Sequence, residues 1–97
     1  MSKYIILTSW TDQGIKNVKA SPKRLDAAKA LAKKLQCKID QFYLTIGTHD
    51  MVVVMDAPDD DAAAKFVLTL GSAGNVRTTT LKAFSEASYR QIIGGLD

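Results

Sequence analysis

The sequence predicts an α+β fold in which strands and helices follow the order strand, helix, strand, strand, helix, strand, with one further helix at the C-terminus. Three observations carry this. Apolar residues recur with a period of two in some segments and near 3.6 in others, and turn residues separate those segments. The chain's 97 residues suffice for one core and leave no room for two, so residues 1–97 are read as one domain.

Lys3 to Trp10, rich in β-branched and aromatic side chains, reads as the first strand. Thr11-Asp12-Gln13-Gly14 then forms a turn or the start of a short helix, with Thr11 or Asp12 able to cap it. Ser21-Pro22 has the form of a helix start, serine as cap and proline in the first turn. Leu25, Ala28, Leu31, Ala32 and Leu35 then share one stripe, while Lys23, Asp26, Lys29, Lys33 and Lys34 lie opposite. In residues 38–46, Phe42, Leu44 and Ile46 point one way and Tyr43 and Thr45 the other. Gly47 to Asp50 supplies a turn into the apolar run Met51 to Met55, so these two strands form an antiparallel hairpin. Ala57 to Asp61 opens the second long helix with an acidic first turn; Ala63, Phe66, Val67 and Leu70 follow helical spacing until Gly71 and Gly74. Val76 to Phe84 is a threonine-rich strand. Ser85 caps a last helix in which Tyr89, Ile92, Ile93 and Leu96 share a stripe.

This order is the ferredoxin-like βαββαβ arrangement, an antiparallel sheet with helices on one face. Right-handed crossovers place the first and third strands in the middle, which agrees with their continuous apolar runs. The third strand is apolar on both sides, Met51, Val53 and Met55 on one and Val52 and Val54 on the other. Helices cover only one of those sides. The remedy expected for the other is self-association through the open sheet face, as a dimer or a multiple of dimers, or a ligand filling it.

Composition bounds the function. The apolar fraction of 46% and charged fraction of 24% are those of a globular protein. No apolar run approaches the ~20 residues that cross a bilayer, and with the lone Cys37 no internal disulfide forms, so a soluble cytoplasmic protein is expected. Residues 16–38 carry eight basic side chains against Asp26 alone, a net +7, read as a solvated lysine face. No P-loop, Gly-x-Gly-x-x-Gly, nucleophile elbow or paired cysteines occur. One histidine and one cysteine cannot supply three or four ligands from one chain, so no metal and no cofactor are expected. Nucleic-acid binding is disfavoured, because the third strand offers methionine and valine where RNA readers of this shape use stacking aromatics.

Five segments together resemble the GYD-domain family: Trp10-Thr11-Asp12-Gln13-Gly14, Ser21-Pro22-Lys23-Arg24, Phe42-Tyr43, Ala57-Pro58-Asp59-Asp60 and Gly71 through Thr80. The family comprises small bacterial proteins grouped with the dimeric α/β-barrel, ferredoxin-like proteins. The resemblance implies that fold and oligomerisation more strongly than any chemistry. The naming Gly-Tyr-Asp signature corresponds to Gly47-Thr48-His49-Asp50, with His49 in place of the tyrosine.

Candidate site residues follow from chemistry and position. His49 and Asp50 are an imidazole and a carboxylate side by side, although neighbours in a strand point to opposite faces, and a turn role is favoured. Trp10, Thr11 and Asp12 end the first strand, at the rim of a cavity expected on the open face. Tyr43 is placed to line that face, and Arg77 to pair with Asp12, Asp50 or an acidic ligand. The leading functional expectation is an oligomeric small-molecule-binding or regulatory module for a small apolar or acidic ligand. The alternative is a cofactor-independent enzyme of the dimeric α/β-barrel type, monooxygenase- or isomerase-like, with His49, Asp50 and Asp12 as catalytic candidates.

Overall fold

A computed structural model describes residues 1–97. The elements run β1 (Ser2–Trp10), α1 (Asp12–Lys16), a 3-10 turn (Val18–Ala20), α2 (Ser21–Lys34), β2 (Lys38–Leu44), β3 (Met51–Ala57), α3 (Asp60–Ser72), β4 (Val76–Ala83) and α4 (Glu86–Gly94). The sheet order is β2-β3-β1-β4 with every neighbouring pair antiparallel, so the two continuously apolar strands do occupy the centre.

Strand alternation divides each central strand between two faces. Tyr4, Ile6 and Thr8 of β1 and Met51, Val53, Met55 and Ala57 of β3 are buried beneath the helices. All of these but Thr8 and Met51 form one core cluster with Ala32 of α2 and with Ala62, Ala63 and Phe66 of α3. Phe66, Ile6 and Met55 are the largest side chains fully enclosed there. The stripe along α2 contributes Ala28, Leu31 and Leu35, while Lys23, Lys29, Lys33 and Lys34 are exposed.

Local chemistry sets most helix ends. The Thr11 hydroxyl accepts from the Gly14 amide, the Asp59 carboxylate from Ala62 and the Ser85 hydroxyl from Ser88. Gly74, at φ +86°, takes the left-handed conformation that closes the turn after α3. Two expectations need correction. Ser21 does not cap α2: the chain enters through the 3-10 turn, so Ser21 is already helical and Ala20 is the cap, without a side-chain bond. β2 ends at Leu44, and a bulge at Asp40 breaks its register with β3, leaving Ile46 fully exposed in the connection.

The last helix stands apart. α4 packs closely against no other element, and Tyr89, Ile92, Ile93 and Leu96 are each about half or more exposed. The radius of gyration, 14.6 Å, exceeds the ~13 Å of a compact chain of this length, and the longest dimension reaches 51 Å.

Candidate functional site: a cavity under the helices and an apolar open face

The C-terminal end of β1 is held by two separate clamps. On one side the Trp10 amide donates to Asp50 Oδ2 (2.9 Å), and the Asp50 amide donates to the Thr8 carbonyl (2.9 Å). The Thr45 amide donates to the Asp50 carbonyl (2.8 Å) and its hydroxyl to the His49 carbonyl (2.6 Å), which fixes the turn. On the other side the Thr11 amide donates to the Asn75 carbonyl (3.0 Å) and its hydroxyl to the Gly74 carbonyl (2.5 Å). Gln13 reaches the Ala73 carbonyl and the Asn75 side chain. Glycine is required at position 14 by space: a Cβ there would lie 2.0 Å from the Asn75 carbonyl oxygen. Arg24 completes this clamp from α2, donating to the Asn17 and Gly14 carbonyls at 3.0 and 3.1 Å.

These clamps frame a cavity of about 270 Å³ between the sheet and helices α2 and α3. Ile6, Thr8 and Trp10 of β1 form part of its floor, with Phe42, Met51 and Val53 beside them. Leu25, Ala28 and Leu31 of α2 and Phe66 and Leu70 of α3 close it from above. Small alanines alternate with leucines on the inner stripe of α2, so the layer is not filled. The one charged residue in the wall is Arg24. The Trp10 indole nitrogen is buried without an acceptor, a condition that costs ~1–3 kcal/mol while it lasts.

Trp10 shares the parity of Tyr4, Ile6 and Thr8, so its ring belongs to the helix-covered side and not to the open face where a rim was expected. Thr11 sits in the clamp and Asp12 is exposed in α1. His49 Nδ1 lies 3.4 Å from the Ser9 hydroxyl, while Asp50 is committed to the Trp10 amide. Tyr43 donates to its neighbour Gln41 (3.3 Å). Arg77 is exposed opposite Ser9. No hydrogen bond or ion pair joins any two of His49, Asp50, Asp12, Tyr43 and Arg77. Sequence reasoning missed Thr8, Arg24 and Met51. The signal for the first was available, because Thr8 and Trp10 are two apart on one strand; that for Arg24 was not, because its partners Gly14 and Asn17 lie in an irregular segment.

The open face is laid out in rows. Tyr43, Val52, Leu7 and Thr79 lie abreast, then Gln41, Val54, Ile5 and Leu81. Charge closes one end: the Lys3 ammonium bridges Asp56 (3.0 Å) and Asp40 (3.6 Å), and the Asp56 bond holds its pKa above the usual lysine value. At the same end of the covered face, Tyr4 donates to the Asp60 carboxylate, which also pairs with Lys82 (3.0 Å). That bond, with burial, pushes Tyr4 up to about 12; the same bond, together with Lys82, holds the Asp60 carboxyl below its ordinary range. Burial raises the Cys37 thiol, which favours its protonated form.

An apolar cavity thus lies behind the sheet, and a second apolar face has no cover in the chain. The GYD domain model matches residues 4–93, and the chain belongs to that family. It is 31% identical over 88 residues to the glutamine synthetase and cystathionine beta-lyase binding protein of Thermus thermophilus, covering 90% of this chain and 93% of that one. Its fold is shared with the leucine response regulatory protein of Mycobacterium tuberculosis, at a TM-score of 0.57 and 15% identity over 87% of this chain. The chain spans about half of that regulator's length (51%). No helix is long and apolar enough to cross a membrane.

Proposed function

We propose that this chain is an oligomeric, cytoplasmic binding module that regulates the enzymes it docks on and carries a small, partly apolar ligand. The observation that supports it is the apolar centre of the open sheet face, Ile5, Leu7, Val52, Val54 and Leu81, which no element of the chain covers. Four strands ~4.8 Å apart and about eight residues long make a patch of ~500 Å². A stable interface needs ~800 Å² from each partner. The exposed apolar stripe of α4 is a second source of apolar area for a two-fold pairing. The relative's name adds the class of target: metabolic enzymes such as glutamine synthetase and cystathionine β-lyase.

The test is sedimentation of the full chain, alone and mixed with glutamine synthetase from the same organism. Self-association and co-sedimentation are expected. A lone monomer that binds neither itself nor the enzyme removes the reading.

A further inference from the structure

We propose that the cavity between α2, α3 and the sheet is a binding site for a small apolar monocarboxylate of about ten non-hydrogen atoms. This rests on reading the chain as a ligand-carrying module and adds the place and the chemistry of that ligand. The size follows from the volume: 270 Å³ holds roughly nine groups of water size at about 30 Å³ each. The apolar body follows from the wall, which is mostly hydrocarbon, with Leu25, Leu31, Phe42, Val53, Phe66 and Leu70 among its residues.

The charge follows from what the wall holds and lacks. Arg24 is its one charged residue, it forms no ion pair, and no carboxylate lines the cavity. Two of the guanidinium's five N–H donors are spent on the carbonyls of Asn17 and Gly14, which fix it in place and leave three. The Trp10 indole N–H also lacks an acceptor, but its nitrogen is sealed off from the cavity, so the donors open to a ligand are those of Arg24. The wall therefore has donors to spare and a positive charge with no negative partner. A carboxylate oxygen satisfies both. An ammonium ion meets no counter-charge there and is repelled by Arg24.

The single tryptophan is itself the reporter. Titration of the full chain with phenylacetate is expected to change its fluorescence saturably. Phenylethylamine and ethylbenzene, of similar shape without the anion, are expected to bind at least about tenfold more weakly, the scale of one charge-assisted hydrogen bond. Ala28→Phe, which fills the cavity, is expected to abolish binding. Arg24→Gln, which removes the charge and keeps a polar stem, is expected to weaken phenylacetate roughly tenfold by calorimetry. The proposal falls if phenylacetate gives no saturable change, if phenylethylamine binds as well, or if folded Ala28→Phe binds as the parent does. Sedimentation of the same samples separates the two readings: a chain that self-associates and captures glutamine synthetase but ignores phenylacetate loses only the site. A chain that binds phenylacetate but remains a lone monomer without enzyme partners keeps the site and loses the docking role.

Discussion

The two faces of the sheet are built from alternate residues of the same strands and meet opposite surroundings. On the covered face Ile6, Met55 and Phe66 are almost wholly excluded from water, yet the layer leaves a cavity where α2 offers alanines. On the open face Ile5, Leu7, Val52 and Val54 are hydrocarbon of the same kind, only partly covered, with the Lys3–Asp56–Asp40 cluster at one end. Apolar character alone therefore does not mark a core. What separates the core from the open face is whether the chain's own helices reach that side.

The contrast breaks most severely on the covered side. Phe66→Ala removes the largest fully buried side chain and is expected to cost ~3–5 kcal/mol, read as a lowered urea midpoint. Gly14→Ala forces backbone apart at the Asn75 carbonyl, and a loss of ~2–3 kcal/mol is expected by the same measurement, because no flexible side chain can yield. On the open side the effect moves from folding to assembly. Val54→Asp is expected to leave the monomer's urea midpoint within about 0.5 kcal/mol, as for a surface change, while weakening self-association at least about tenfold by sedimentation. An unchanged dimer would place the interface elsewhere.

The smallest effect concerns the rim of the covered face. Tyr4 holds its proton up to about 12, above the ordinary value of 10.0, chiefly through its bond to Asp60. Because the folded state keeps a proton that the unfolded chain releases, this contribution is complete below pH 10 and fades as the pH climbs through about 12. Asp60 has the opposite sign: its lowered pKa stabilises above the unfolded carboxyl value and is lost on acidification. Asp60→Ala is expected to bring the late tyrosinate absorbance transition down towards 10, with a modest loss of stability at neutral pH.

The sequence by itself determined the order of elements, the central places of β1 and β3, the basic outer face of α2, the acidic start of α3, a cap at Thr11 or Asp12 and the cap at Ser85. Each depends on periodicity or on side chains a few residues away, which a linear reading contains. Tertiary structure alone decided which side of β1 the helices cover. Both sides are apolar, so parity placed Trp10 with Ile6 and Thr8 without saying where that group would face. It also decided that Ser21 lies inside its helix, that Asp40 bulges, and that Arg24 meets Gly14 and Asn17. The cavity is of the same kind. It exists because two helices rest on one sheet at a spacing their small inner residues do not fill, a distance set by the whole packing and by no segment alone.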